Sequence, residues 1–301
     1  MKRSELKGKA AVITGGSSGI GKATALELAR QGVSLVLCAR SQGDLDETAR
    51  ECQALGTQVA TSTMDVTDEM RVKGVGDKAI QVFGRLDIWI NNAGVDMFGR
   101  LEELPVEAIH RLVEVNLLGY IYGCRAALNH MRQSGKGTII NVSSLAGIAA
   151  FPYSSVYAST ESGINALSAS IRMENIDKPD ITISTLIIPA IDTPFFAHSA
   201  NYLGKQIRPF PPVVYKPERV ARTILRLTLR PRKEKVFGVP ANMLVAMKRF
   251  FPFLTEKFIA RMAAKHYLKA KTASNFSGNL YMPLREPKEV ATAKQEALAV
   301  R

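Results

Sequence analysis

Short apolar runs alternate with helical patterns along the first 190 residues. Six runs rich in apolar and β-branched residues are predicted to form strands: Ala10–Thr14, Ser34–Cys38, Gln58–Ser62, Leu86–Ile90, Thr138–Val142 and Thr182–Ile188. Five segments between them repeat their apolar residues at the helical period: Gly21–Arg30, Leu45–Leu55, Met70–Phe83, Pro105–Arg132 and Ser155–Glu174. Nearly continuous apolar strands separated by helices are typical of parallel strands buried on both faces. Because crossover connections are right-handed, the pattern predicts a doubly wound α/β sheet flanked by helices.

The pattern loosens after Pro189. Residues 190–216 are rich in proline and aromatic side chains, and so long a connection is typical of a substrate-binding loop. A helix over Pro217–Arg230 and a seventh strand over Lys235–Val239 are predicted to complete a single domain, residues 1–240.

The rest of the chain, residues 241–301, is predicted to be a basic helical extension with one or two helices. Its tail, around Thr272–Asn279 and Met282–Glu289, is expected to pack poorly. Residues 202–301 carry 21 lysines and arginines against six glutamates, in a chain of net charge +13. Such a region suits an anionic membrane surface, nucleic acid, an acidic partner or simply a solvated exterior. No zinc-finger spacing or glycine–aromatic RNA motif accompanies it, so no nucleic-acid partner is predicted.

The cysteines and the N-terminal sequence bear on the compartment. Cys38, Cys52 and Cys124 form no CxxC pair, which favours a reducing compartment over a disulfide framework or a zinc site. The four histidines have no metal-binding spacing, so no metal is predicted. No signal-peptide core is present, and no stretch reaches the roughly 18 uncharged apolar residues of a membrane span. We therefore expect a cytoplasmic protein.

A glycine-rich turn, Thr14-Gly15-Gly16-Ser17-Ser18-Gly19-Ile20-Gly21, joins the first strand to the first helix. Glycines allow a sharp turn and a close approach of the backbone, and a helix N-terminus offers unpaired N–H groups to a pyrophosphate. The turn therefore predicts a dinucleotide site with these contacts: Gly15, Ser17, Ser18, Gly19, Ile20 and Gly21.

The second strand ends near Arg40 and Ser41, and no acidic residue lies between Gln31 and Gln42. An acid here takes the ribose hydroxyls of NAD(H), whereas an arginine binds the 2′-phosphate of NADP(H) with paired donors. We predict NADP(H) as the cofactor. The alternative is that Arg40 is a plain surface residue.

Polar and small residues also follow the third and fourth strands: Asp65, Val66, Asn92, Ala93 and Gly94. The carboxyl ends of parallel strands form the ligand-binding edge of such a sheet, so these residues are predicted to contact the cofactor. Asp65 would accept a hydrogen bond from the adenine amino group, cap the next helix, or do both.

Ser143 and Ser144 end the next apolar strand, and Tyr157 lies near the start of the helix that follows. A phenol that gives or takes a proton, beside a serine that holds an oxygen, suits acid–base work on a carbonyl. Either serine could serve.

Together these motifs resemble the short-chain dehydrogenase/reductase family over roughly residues 7–240. The match consists of TGGSSGIG (14–21), Asp65, NNAG (91–94), VNLLG (115–119), the serine–tyrosine pair and a PxxxT-like turn at Pro189–Thr193. The resemblance implies a Rossmann domain and hydride transfer between nicotinamide and a carbonyl or secondary alcohol. It also implies a homodimer or homotetramer built through the two longest predicted helices.

The resemblance implies roles for single residues as well. Ser144 matches the serine that holds the substrate oxygen, and Tyr157 matches the catalytic acid/base. Asn116 matches the asparagine that props a helix and holds a water in the proton relay. Three residues would lie beside the nicotinamide, the last of them at its carboxamide: Pro189, Ile191 and Thr193.

One position departs from the family, whose pattern Tyr-x-x-x-Lys reads here from Tyr157 to Glu161. The family's lysine binds the nicotinamide ribose and lowers the pKa of the tyrosine. A glutamate can still accept from the ribose, but its charge raises the tyrosine pKa. A unit charge about 5 Å away at an effective dielectric of about 20 is worth roughly 3 kcal/mol, or about 2 pK units. We expect impaired alcohol oxidation and favoured carbonyl reduction, unless burial keeps Glu161 neutral.

Aromatic residues of the 190–216 loop favour a lipophilic substrate, unless they only pack the loop down: Phe195, Phe196, Tyr202 and Phe210. In the extension, apolar residues share one helical face: Leu254, Phe258, Ile259 and Met262. Basic residues cover much of the remainder, so residues 241–270 would either dock on protein or touch a membrane peripherally. Two functions follow: an NADP(H)-dependent carbonyl reductase or alcohol dehydrogenase, with reduction favoured, or a nucleotide-binding scaffold or membrane adaptor that Glu161 has disabled as an enzyme.

Overall fold

The computed structural model describes residues 5–209 and 213–284. Its strands are β1 Ala10–Thr14, β2 Ser34–Ala39, β3 Val59–Thr63, β4 Ile88–Asn91, β5 Met97–Phe98, β6 Gly137–Ser144, β7 Ile181–Ile188, β8 Ala200–Asn201 and β9 Glu234–Val236. Its helices are α1 Gly19–Ala29, α2 Gln42–Ala54, α3 Glu69–Phe83, α4 Val106–Val113, α5 Gly119–Ser134, α6 Ser155–Glu174, α7 Phe195–His198, α8 Pro217–Leu229, α9 Val239–Phe250 and α10 Pro252–Ala263.

Seven parallel strands form the main sheet, in the order β3-β2-β1-β4-β6-β7-β9. Neighbouring residues of a strand face opposite sides, so Val12 and Trp89 belong to one buried cluster while Ile13 and Ile90 belong to another. Burial on both faces explains why the strands read as continuous apolar runs. The predicted doubly wound fold is confirmed, and the strand order reverses between β1 and β4, where such sheets bind their ligands.

Two predicted elements differ from the observed ones. The helix predicted over Pro105–Arg132 is divided into α4 and α5 by a widened turn, Glu114–Leu118, of the π type. The strand predicted over Lys235–Val239 ends at Val236, because Gly238 takes a positive φ of 90° and a helix with proline in its first turn begins at Val239.

The 190–216 loop has more internal structure than its sequence predicts. It contains α7 and β8, and β8 pairs with β5 in a separate two-stranded sheet. Tyr202 packs against the main buried cluster, so this aromatic holds the loop down. Phe210 lies outside the described residues.

The expectation that the tail packs poorly is wrong for residues 272–280. Thr272 bridges to Lys205, and Phe276 pairs with Asn201 through two backbone hydrogen bonds of 2.9 and 3.0 Å. Leu280 is 0% exposed, whereas Met282 is 71% exposed. Residues 285–289 lie outside the described residues. The tail therefore returns to the body of the fold after α10. No helix within the described ranges is long and apolar enough to span a bilayer.

Candidate active site

The glycine-rich turn brings its backbone against β4. A Cβ atom at Gly21 would lie 1.9 Å from the carbonyl oxygen of Gly15 and 2.8 Å from Asn92 Nδ2, so no side chain fits there. Gly15 takes a φ of +65°, which favours glycine. The side chain of Asn92 donates to the carbonyl groups of Thr14 and Gly15 at 3.1 and 3.3 Å. These contacts fix the shape of the turn.

The first turn of α1 has backbone N–H groups that no capping side chain binds. Ser18 occupies the N-cap position, but its side chain makes no capping hydrogen bond. The N–H groups of that turn are thus left for a ligand, and the helix dipole favours an anion there. A cradle that excludes any Cβ atom, opposite an uncapped helix N-terminus, fits the pyrophosphate of a dinucleotide.

Tyr157 and Ser144 come together at the carboxyl end of β6. Their side chains are hydrogen-bonded to each other. Ser144 also accepts the N–H of Ala146 at 3.1 Å. Ser143 is 2% exposed, and its hydroxyl donates to the backbone carbonyl of Glu161 at 3.4 Å. Both serines line the cavity, but Ser144, rather than Ser143, is the one that interacts with the phenol of Tyr157.

Glu161 lies one helical turn after Tyr157 and is buried beside it. Its Oε2 accepts the backbone N–H of Ser144 at 2.7 Å, and its carboxyl is hydrogen-bonded to Tyr157. Burial raises the pKa of Glu161 to about 7, against the opposing effect of these hydrogen bonds. Burial, together with the Glu161 and Asp96 carboxyls, also raises the pKa of Tyr157 well above its usual range. The carboxyl is thus neutral in part near neutral pH.

Asn116 lies in the widened turn between α4 and α5. Its side chain accepts the N–H of Val95 at 2.9 Å and donates to the carbonyl of Val95 at 2.8 Å. A longer contact of 3.4 Å reaches Thr160, on the helix that carries Tyr157. Asn116 therefore ties the loop after β4 to α6.

A cavity of about 660 Å³ connects these groups. Its lining includes residues of the glycine-rich turn and of the predicted nicotinamide turn: Gly15, Ser18, Gly19, Ile20, Pro189, Ile191 and Thr193. Ser144, Tyr157 and Glu161 line it too, as do Asn92, Ala93 and Gly94. Phe195 packs beside the phenol of Tyr157, with ring centroids 6.1 Å apart. One continuous space thus touches Ser144, Tyr157 and Glu161 together with two thirds of the predicted cofactor residues, whereas Asn116 does not line it.

The remaining predicted cofactor residues do not line this cavity, and of these Arg40 contacts the tail directly. The guanidinium of Arg40 donates to the carbonyl oxygens of Leu280 and Asn279 at 3.1 and 2.7 Å. Ser41 caps α2 by accepting the N–H of Asp44. Asp65 forms an ion pair with Arg111.

The helix-cap alternative for Asp65 is wrong, because Asp68 caps α3. Asp65 Oδ1 instead accepts the N–H and the hydroxyl of Thr67 at 3.1 and 3.0 Å. Burial alone would raise the pKa of Asp65, but hydrogen bonds from Arg111 and Thr67 outweigh it and lower that pKa. Val66 is buried behind this carboxylate.

Sequence reasoning missed two residues near the site. Asp96 lines the cavity and accepts hydrogen bonds from Ser154 and from the N–H of Met97, while burial raises its pKa to about 7. A carboxylate two residues after the NNAG motif, between Val95 and Met97, was the available signal. Arg111 connects Asp65 to the tail, donating to the carbonyl of Leu280 at 2.8 Å. No sequence signal marked that contact, because its partners are far apart in the chain.

The sequence profile described as short chain dehydrogenase matches residues 9–202. The chain belongs to the short-chain dehydrogenase family. Among its relatives, a Bacillus subtilis (strain 168) protein named "Uncharacterized oxidoreductase YxnA" is 36% identical over 278 residues, which cover 91% of this chain and 78% of the relative.

Two other family members bear on chemistry. The 3beta-hydroxysteroid dehydrogenase 1 of Eggerthella lenta is 33% identical over 195 residues, covering 64% of this chain and 74% of that protein. An alcohol dehydrogenase from the archaeon Thermococcus sibiricus, solved with 5-hydroxy-NADP, is 34% identical with a TM-score of 0.64, covering 76% of this chain and 95% of that one. This chain is therefore an oxidoreductase-type member of a family with a solved structure that holds an NADP derivative.

Proposed function

We propose that the protein is an NADP(H)-dependent oxidoreductase that transfers hydride between nicotinamide and a carbonyl or secondary alcohol of a lipophilic substrate, with reduction favoured. The observation that carries the proposal is the single cavity shared by the glycine-rich turn and the Ser144–Tyr157 pair. A bound reduced nicotinamide supplies the hydride. The chain's own residues position the carbonyl and handle the proton.

In reduction, the hydroxyl of Ser144 holds the carbonyl oxygen, and the phenol of Tyr157 gives it a proton as negative charge develops there. A phenol is already neutral at physiological pH, and the raised pKa of Tyr157 makes its ionisation less favourable still. A neutral Glu161 can return a proton to Tyr157 through their hydrogen bond. In oxidation the phenol would have to ionise beside that carboxyl, which is unfavourable. This asymmetry supports reduction as the favoured direction.

A lipophilic substrate is supported by the part of the cavity beyond Tyr157. Its wall there is made largely of apolar side chains: Phe151, Phe195, Phe196, Met243, Leu244, Met247, Phe258 and Met262. Apolar walls with a few convergent polar groups are typical of sites for hydrophobic small molecules. The steroid substrate named for the Eggerthella lenta relative points to the same class.

NADP(H) is proposed over NAD(H) because Arg40 follows β2 and no acid replaces it. The Thermococcus sibiricus relative was solved with an NADP derivative, which supports the same choice. Titration of the protein with NADPH and with NADH, followed by nucleotide fluorescence, tests the preference. Tighter binding of NADH would contradict it.

Glu161 supports a second candidate, a nucleotide-binding scaffold without significant turnover. NADPH consumption with a panel of aldehydes and ketones separates the two, alongside the binding titration. Consumption by the natural protein supports the reductase. Binding without consumption, with activity appearing in Glu161→Lys, identifies a disabled enzyme. If neither protein consumes NADPH and neither binds it, both candidates fail.

We further propose that α9 and α10 touch an anionic membrane surface from which a lipophilic substrate enters. Four large apolar side chains at the junction of these helices are more than half exposed: Phe250, Phe251, Phe253 and Leu254. Lys248, Arg249 and Lys257 lie on the same helices and complement anionic headgroups. Phe258 is 52% exposed and also lines the cavity, so the apolar surface leads into the site.

Vesicle pelleting tests the membrane proposal. Replacing Phe250, Phe253 and Leu254 with serine should abolish pelleting with phosphatidylserine vesicles. Serine at Met173 and Ile176, which are as exposed but lie away from these helices, is the control. Equal pelleting of both variants contradicts the proposal.

We accordingly propose that the protein is cytoplasmic and contacts a membrane peripherally. We also propose that it forms a homodimer or homotetramer through α4–α5 and α6. Light scattering would measure the oligomeric state.

A further inference from the structure

The tail closes the end of the cofactor cleft where adenosine is expected. We call residues 276–284 the strap. Arg40 follows β2 and Asp65 follows β3, so both lie at the ligand-binding edge of the sheet, on the β1 side opposite β4. Both are predicted adenosine contacts. Arg40 is bonded to strap carbonyls, and Asp65 is paired with Arg111, which also binds the strap.

The strap also fills space in the apolar core, through the side chain of Leu280. Its side chain is fully buried in the same apolar cluster as Cys38, Met64 and Val66, which come from the ends of β2 and β3. The carbonyl of Leu280 accepts from both Arg40 and Arg111, at 3.1 and 2.8 Å. Hydrogen bonds from charged donors are stronger than neutral ones. The strap is therefore held by burial and by two guanidinium groups.

The cavity ends where the strap begins. Asn279 lines it beside the glycine-rich turn, whereas Arg40, Ser41, Asp65 and Val66 do not. The pyrophosphate and nicotinamide ends of a dinucleotide thus have open space, whereas the strap occupies the donors of Arg40, and Asp65 borders only a separate pocket that it shares with Arg111 and the strap residue Tyr281. The seated strap also leaves one buried polar atom unsatisfied, because Asn279 Oδ1 has no hydrogen-bond partner among the described residues. An unpaired buried acceptor weakens the strap's hold.

We propose that the strap is an autoinhibitory element that competes with the adenosine half of the cofactor for Arg40 and the space around Leu280. This inference rests on the proposed function, because it concerns the same cofactor cleft. Cofactor binding requires the strap to leave, and the apparent affinity is lowered by the fraction of molecules in which it is seated. Release of the strap frees the paired donors of Arg40 for a 2′-phosphate.

The binding test uses the full chain and two strap variants, with NADPH and with adenosine 2′,5′-bisphosphate as the adenosine-half probe. Leu280→Ala should tighten the binding of both ligands by on the order of tenfold. That is the change expected if the substitution makes the seated position of the strap about 1.4 kcal/mol less favourable. Met282→Ala is the matched control, because Met282 lies in the strap with 71% of its surface exposed. It should bind as the natural protein does. Unchanged or weaker binding by Leu280→Ala overturns the proposal.

Hydrogen exchange of the natural protein gives an answer that does not depend on how the variants fold. In the free protein the N–H groups of Phe276 and Asn279 are bonded to the carbonyls of Asn201 and His198. Adenosine 2′,5′-bisphosphate should speed exchange across residues 276–284 and leave α8 unchanged. Slower exchange in the strap would show that it clasps the nucleotide, which contradicts competition. If NADPH binds neither the natural protein nor Leu280→Ala, the proposed function itself fails. If NADPH binds without faster strap exchange, only the strap proposal fails.

Discussion

Replacing Glu161 with glutamine should free Tyr157 from the carboxylate beside it. Glu161 is buried, has a pKa of about 7, and is hydrogen-bonded to the phenol. Below pH 7 the carboxyl is largely neutral, and above pH 7 it is largely ionised. A unit charge at the roughly 5 Å spacing of residues one helical turn apart raises the phenol pKa by about 2 units at an effective dielectric of about 20.

The sign of the pH dependence follows from this charge. Carbonyl reduction by the natural protein should fall as pH rises through about 7, because ionised Glu161 cannot return a proton to Tyr157 and makes the phenol a weaker acid. In Glu161→Gln that step should disappear. Alcohol oxidation at pH 8–9 should rise by roughly 10- to 100-fold, the range that a shift of up to about 2 pK units allows. Glu161→Lys should raise it further.

The assay is the pH profile of kcat/KM for both directions, read from NADPH absorbance. Glu174→Gln is the control, because Glu174 lies on the same helix with its side chain exposed. It should leave both profiles unchanged. A Glu161→Gln protein that retains the step near pH 7 would refute the reasoning, since the titrating group would then be another residue such as Asp96.

Two further predictions concern stability. The folded-state pKa of Glu161, about 7, lies above the 4.5 of an ordinary glutamate. The folded protein should therefore lose up to roughly 3 kcal/mol of stability as pH rises from about 4.5 to 7. Thermal unfolding should show a smaller loss for Glu161→Gln, and an equal loss would contradict the burial of Glu161. Gly21→Ala should destabilise the fold by about 1–3 kcal/mol and abolish NADPH binding, because its Cβ would overlap the Gly15 carbonyl. Gly74→Ala, whose Cβ meets nothing within 4 Å in α3, should instead be neutral or stabilising, and similar denaturation midpoints for the two would contradict the packing argument.

The sheet could be predicted because each strand carries its own signal. Consecutive residues such as Val12 and Ile13 face opposite buried clusters. Burial on both sides therefore requires apolar residues at consecutive positions, and the sequence shows them. All predicted strands of the first 190 residues agree with the observed ones within two residues. The glycine-rich turn was equally local, since Gly15 and Gly21 meet each other within one turn.

The strap could not be predicted because nothing local marks it. The carbonyl of Leu280 accepts hydrogen bonds from groups about 170 and 240 residues earlier in the chain, Arg111 and Arg40, and polar neighbours surround Leu280 in the sequence. Glu161 shows a related limit. Its position could be read from the sequence, but its pKa depends on burial and on the N–H of Ser144, which only the fold brings to it.

The most direct test of the central claim follows the transfer of deuteride from NADPH that carries deuterium at nicotinamide C4 to a lipophilic ketone, with mass spectrometry of the alcohol. We predict one deuterium at the carbinol carbon with the natural protein, and a rate at least about 100-fold lower with Tyr157→Phe, which keeps the ring and removes the proton donor. Transfer by Tyr157→Phe at the natural rate would contradict the account. So would the absence of transfer to every ketone by both the natural protein and Glu161→Lys.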